Sequence, residues 1–191
     1  GMNLCDDVQH MMNALQQMGC DIDQVDTTTV KVSSLNIKSA HTQTENKELF
    51  CGNAGTAVRF LTALACLVPG TWTITGDEHM QQRPIADLVT ALKQLGAEIE
   101  DTNGCPPVTI KGGLIKGGTC QLDASQSSQF LTALLLIAPL LEDGLTIELT
   151  SELTSPTYVE MTSELMKKFG IQDKQLAISN WLPANSQLPI S

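Results

Sequence analysis

The sequence predicts an α/β (mixed α+β) fold built from a repeated unit. Three observations carry this expectation. Amphipathic helices alternate with short β-branched strands, three of the helices end in glycine at intervals of about 75 residues, and one pentapeptide occurs twice.

In chain order, the first predicted helix runs from Asp7 to Met18, with Val8, Met11, Met12, Leu15 and Met18 on one face and Gly19 as a left-handed cap. Asp6 and Asp7 open it as expected N-caps. A strand is expected over Thr28–Val32. The next helix begins in the small-residue run Cys51-Gly52-Asn53-Ala54-Gly55-Thr56 and carries Phe60-Leu61-Thr62-Ala63-Leu64. Pro69 and Gly70 end it, and Thr71–Thr75 follows as a strand. Pro84–Leu95 is the second glycine-capped helix, with Ile85, Leu88, Val89, Leu92 and Leu95 apolar and Gly96 behind them. Ala97–Glu100, Val108–Lys111 and Thr119–Leu122 are expected strands. The pentapeptide then returns as Phe130–Leu134, followed by Pro139, Gly144 and a strand at Leu145–Leu149. Pro156–Phe169 with Gly170 is the third capped helix, and Gln175–Ser179 a last strand. The phase gives two complete units and the back half of a third. One domain is therefore expected over residues 2–179, lacking its front part, with an irregular tail at 180–191 that holds Pro183 and Pro189.

Composition narrows the function. Hydrophobic residues make up 42% and, with 14 glycines, bring the apolar share to the globular norm of about 45–50%. The longest apolar run, Phe130–Leu141, is too short for a membrane span of roughly 20 residues, and no signal peptide is evident. A net charge of −10 and only seven aromatic residues argue against nucleic acid as a partner. The six cysteines have no CxxC spacing and no histidine near enough for a zinc pattern, so reduced thiols in a cytoplasmic protein are expected. His10, His41 and His79 form no triad or metal constellation.

Any anion must then be held by a few placed groups. Asn53, Gly55 and Thr56 open an apolar helix whose free N–H groups and dipole suit an anion; alternatively, Asn53 or Thr56 simply caps it. Ser125-Gln126-Ser127-Ser128-Gln129 stands in the same place in the next repeat, where Ser127 either caps the helix or joins Ser128 in holding a phosphate. Arg83, before Pro84 at the expected first position of a helix, is either a solvated surface residue or half of an anion clamp. Arg59, one turn into the Gly-rich helix, reads as structural. Tyr158, after Ser155 and Pro156, is either a packed ring or a ligand hydroxyl. No pair of carboxylates is placed as an acid/base couple.

These motifs resemble a known family. Leu49-Phe50-Cys51-Gly52-Asn53-Ala54-Gly55-Thr56-Ala57-Val58-Arg59 resembles the signature of the EPSP synthases (3-phosphoshikimate 1-carboxyvinyltransferases). Arg83-Pro84-Ile85 is similar to the family's second signature, Ser127-Ser128-Gln129-Phe130-Leu131 to its phosphate-binding segment, and Ser155 to Tyr158 to the segment after it. Motifs of the sister enzyme acting on UDP-N-acetylglucosamine do not occur. The resemblance implies βαβαββ units around a pseudo-threefold axis, an inside-out barrel domain of the enolpyruvyl transferase type, here incomplete. It implies enolpyruvyl transfer from phosphoenolpyruvate to the 5-hydroxyl of shikimate 3-phosphate, without metal or organic cofactor. By the same resemblance, Ser127, Ser128, Gln129, Ser155 and Tyr158 contact shikimate 3-phosphate, and Asn53, Gly55, Thr56, Arg83 and Gln129 serve phosphoenolpyruvate. Phe60 stands where the family usually has proline. The family's N-terminal Lys-Ser…Arg segment, and the second domain that supplies its acid/base carboxylate, have no counterpart in these residues. The expectation is thus a partial enzyme, inactive by itself, that binds shikimate 3-phosphate, and that self-associates or pairs with a complementary fragment. The alternatives are a non-catalytic domain for a phosphorylated metabolite or an inert fragment.

Overall fold

The computed structural model describes residues 4–33, 46–171 and 176–180. His41, Gln175 and the expected tail beyond Asn180 lie outside them. The chain runs α1 (Asp6–Gln17), β1 (Ile22–Gln24), β2 (Val30–Val32), β3 (Asn46–Phe50), α2 (Gly55–Ala65), β4 (Gly70–Thr75), α3 (Ala86–Gln94), β5 (Glu98–Thr102), β6 (Cys105–Gly112), β7 (Gly118–Leu122), α4 (Ser128–Ile137), β8 (Leu145–Leu149), α5 (Pro156–Lys168) and β9 (Leu176–Ser179). The mixed α/β class is the one expected.

The glycine caps form as the sequence predicts. Gly19, Gly96 and Gly170 have φ of +97°, +92° and +79°, the left-handed turn that glycine adopts without steric cost. The N-termini differ from expectation. Cys5, not an aspartate, is the N-cap of α1, and Asp6 and Asp7 lie in its first turn, where their charge complements the helix dipole. α3 begins at Ala86 behind an Ile85 cap, so Pro84 stands outside the helix.

β3 and β4 are parallel and joined across α2, while β6 lies antiparallel to both β4 and β5. The four-stranded order is β3-β4-β6-β5, so residues 46–112 form one β-α-β-α-β-β unit. β7, β8 and β9 make a second, all-parallel sheet, and β1 and β2 a hairpin. The two larger units meet where the Gln94 side chain on α3 donates to Gln121 O at 3.1 Å and accepts from Gln121 N at 2.8 Å. That contact satisfies backbone groups on the open edge of β7.

The repeated pentapeptide explains the centre of the molecule. α2 and α4 pack together, and Leu61, Ala63, Leu131 and Ala133 are all buried. Each leucine removed from water there stabilises the fold by about 1.5–3 kcal/mol. Trp72 is buried beside them and its indole N–H donates to Val68 O at 2.9 Å. Among the described residues, no helix is long and apolar enough to cross a membrane. All six cysteines are free thiols, five of them buried or half-buried.

Candidate functional site

The N-terminus of α2 is the starting point. Ala54 is its N-cap, and no side chain caps it, so neither Asn53 nor Thr56 plays the capping role open to them. The first-turn amides of α2 thus have no side-chain acceptor, and the helix dipole is uncompensated there. α4 differs. Ser127 is its N-cap, and its hydroxyl accepts from Gln129 N at 3.3 Å. The segment before α4 is also not a copy of the one before α2. Asp123 ties Ser125 into a turn through its hydroxyl at 2.6 Å and its amide at 2.9 Å, and the helix starts later, at Ser128.

Both arginines converge on that open terminus. A Cβ built on Gly55 would lie 2.7 Å from Arg59 Nη1 and 2.7 Å from Arg83 Nη1, so any larger residue must push the guanidiniums aside. Arg83 Nη1 also donates to Asn53 O at 3.3 Å. The helix end that Arg83 faces is therefore that of α2, reached from 30 residues along the chain. Arg59 is only 5% exposed, as the structural reading of it expects. Its Nη1 donates to Gln129 Oε1 at 2.7 Å and its Nη2 to Pro84 O at 3.2 Å. The guanidinium also lies 5.4 Å from the centre of the Phe130 ring. Burial, reinforced by the neighbouring Arg83 charge, pushes the Arg59 pKa down to about 10. Neither arginine forms an ion pair with a carboxylate among the described residues. Two like charges beside a positive helix end, in a chain of net charge −10, form an arrangement that an anion stabilises.

Gln129 links this cluster to a cleft. Its Nε2 donates to Thr56 Oγ1 at 3.2 Å. The cleft, about 640 Å³, opens between α2, α4 and α5. Thr56, Gln126, Ser127, Ser128, Gln129, Thr132, Thr154, Ser155, Tyr158 and Thr162 supply its polar lining, and Phe60, Met161 and Leu165 its apolar wall. Ser128 is 5% exposed, and Tyr158 is 65% exposed with its hydroxyl free of hydrogen bonds to other described residues. Ser155 holds a left-handed φ of +50° at the N-cap of α5 without a side-chain cap bond. A non-glycine residue in that region stores strain, which is common where a side chain is aimed at a ligand.

The nine sequence-derived site residues thus fall into two adjoining groups. Ser127, Ser128, Gln129, Ser155 and Tyr158 share the cleft, while Asn53, Gly55 and Arg83 lie at the α2 terminus. Thr56 and Gln129 join the two. Arg59, read from the sequence as structural, adjoins both groups through Gly55 and Gln129. The sequence carries a signal for that contact: Arg59 and Gln129 each precede a copy of the pentapeptide, and these equivalent residues hydrogen-bond each other.

Comparison with known proteins follows this geometry. Residues 1–177 match the family described as EPSP synthase (3-phosphoshikimate 1-carboxyvinyltransferase). The chain is 47% identical over 169 residues to a 3-phosphoshikimate 1-carboxyvinyltransferase of Shewanella amazonensis, covering 87% of this chain and 39% of that protein. It is 45% identical over 170 residues to the protein of that name from Vibrio cholerae, with the same coverage. An EPSP synthase structure from Acinetobacter baumannii superimposes with a TM-score of 0.70 at 24% identity, covering 87% of this chain and 36% of that one. The chain therefore spans about two-fifths of the length of the curated relatives it matches.

Proposed function

Since the chain belongs to the EPSP synthase family, we propose that it carries the shikimate 3-phosphate site and part of the phosphoenolpyruvate site of an enolpyruvyl transfer. The observation that carries this reading is the pair Arg59 and Arg83, met at Gly55 without a carboxylate partner among the described residues. Phosphoenolpyruvate, a carboxylate and a phosphate on one small carbon frame, supplies the charge that this pair lacks. Asn53, Gly55, Thr56, Arg83 and Gln129 hold it, with Arg59 as an addition to the set. Shikimate 3-phosphate lies in the cleft, its phosphate on Ser127 and Ser128 and its remaining contacts on Gln129, Ser155 and Tyr158. Gln129, bonded to both Arg59 and Thr56, stands at the junction where the enolpyruvyl group leaves its phosphate for the 5-hydroxyl.

Binding is expected from residues 1–191 alone, and turnover is not. Rate enhancement in this kind of transfer comes from aligned charges in a closed, water-free site. The described residues offer binding groups but no acid/base carboxylate beside Gln129. Six free thiols support a cytoplasmic setting. Exposed Phe169, just past the end of α5 and outside the cleft lining, supports association with a second copy or a complementary fragment.

Calorimetric titration with shikimate 3-phosphate tests the reading. Saturable binding that is lost in Ser128→Ala supports it, whereas no saturable heat overturns it. Enolpyruvyl transfer by the purified chain would refute the claim of binding without turnover.

A further inference from the structure

His10 belongs to none of the groups described so far. It lies within α1, half-buried, and its imidazole rests on the loop that leads into α2. A Cβ on Gly52 would lie 2.5 Å from His10 Nε2 and 3.0 Å from its Cδ2. The same ring meets Phe50 edge-on, with centroids 5.7 Å apart and planes at 74°. The imidazole therefore covers both residues that flank Cys51.

The loop beneath it is fixed by its backbone on the other sides. Cys51 N donates to Thr75 O at 2.9 Å, Asp77 N to Gly52 O at 3.1 Å, and Ala54 N to Cys51 O at 3.0 Å. Gly52 takes a left-handed φ of +53°, which sets the direction of the chain into Asn53. The Asn53 carbonyl is the acceptor for Arg83, and Gly55, two residues on, is where the two guanidiniums meet.

We infer that His10 is a positioning residue for the anion loop: its ring presses Gly52 into the turn that presents Asn53 O to Arg83 and keeps the α2 terminus open. This rests on the phosphoenolpyruvate reading of that terminus. The effect is aimed at one subsite, because the His10 ring touches Phe50 and Gly52 in the loop before α2, whereas Ser127, Ser128, Ser155 and Tyr158 belong to α4, to α5 and to the residues that cap them.

The test compares wild type, His10→Ala, His10→Phe and Gly52→Ala by calorimetry. Phosphoenolpyruvate is titrated at saturating shikimate 3-phosphate, and shikimate 3-phosphate alone in a second series. His10→Ala should weaken phosphoenolpyruvate about three- to tenfold while leaving shikimate 3-phosphate affinity unchanged. His10→Phe keeps a flat ring over Gly52 and should stay within about twofold of wild type. Gly52→Ala should reproduce the loss, and the double variant should lose less than the two single losses combined, because removing the ring makes room for the methyl group. Equal weakening of both ligands, or a lowered melting temperature with unchanged affinities, overturns the positioning role. A wild-type chain that binds no phosphoenolpyruvate overturns the anion reading itself and this inference with it. That outcome is distinct from a His10→Ala variant that binds as well as wild type.

Discussion

Gly55 is the residue on which the proposed anion site turns, because a Cβ there meets two guanidiniums at 2.7 Å. Gly55→Ala should fold, since alanine suits a helix start, yet displace Arg59 and Arg83 from the terminus. Phosphoenolpyruvate affinity measured by calorimetry should fall at least about tenfold, or roughly 1.4 kcal/mol. Arg59 makes a second residue-scale case. Arg59→Lys keeps the charge but cannot reach Gln129 Oε1 and Pro84 O together, as the planar fork does at 2.7 and 3.2 Å. That variant should lose affinity for both ligands, because the two proposed sites share Gln129, which bonds both Arg59 and Thr56. The anion-suited start of α2 at Gly55 is legible in the local sequence, whereas the convergence of the two arginines on it is not. The contact with Gln129 spans 70 residues, and Arg83 faces a helix end other than the one it precedes in sequence.

At the scale of elements, the contrast between α2 and α4 is the informative one. Both carry the same pentapeptide, but α4 is capped by Ser127 and α2 by no side chain. Ser127→Ala should therefore cost about 1 kcal/mol in urea unfolding. Asn53→Ala removes no cap and should leave stability within about 0.5 kcal/mol. Helices with strong periodicity and glycine caps were readable from sequence because both signals are local. β3 was not, since Asn46, Lys47 and Glu48 are polar and only Leu49 of that strand is buried. β1 has three residues, too few to show a period, with only Ile22 buried. The start of α3 was misplaced because the residue pair Arg83-Pro84 mimics a helix entry, while the chain holds Ile85 in a turn bonded to Gly104 O at 2.9 Å.

Over the whole molecule, the buried thiols tie stability to pH. Burial pushes Cys51 and Cys66 up to about 12 from 9.0, and burial with the Glu148 charge pushes Cys120 up to about 11. Below pH 9 these thiols are neutral in both folded and unfolded chains. As pH rises past 9, the unfolded chain gives up protons that the folded chain keeps, so stability must fall. Each thiol contributes up to about 1.4 kcal/mol per pH unit above that point. Urea unfolding between pH 7 and 10 should show a flat region and then a decline, and a steady rise would contradict it. Exposed Cys5 should label first with a thiol reagent in the folded protein. Exposed Phe169, just past the end of α5, should make the chain self-associate in light scattering, and a clean monomer counts against that.

The most direct measurement is the titration of phosphoenolpyruvate into residues 1–191 at saturating shikimate 3-phosphate. One saturable site is expected, and its heat should disappear in Arg83→Ala. Absence of binding in the wild type, or binding that Arg83→Ala leaves unchanged, would contradict the claim that Arg59 and Arg83 form an anion site at Gly55.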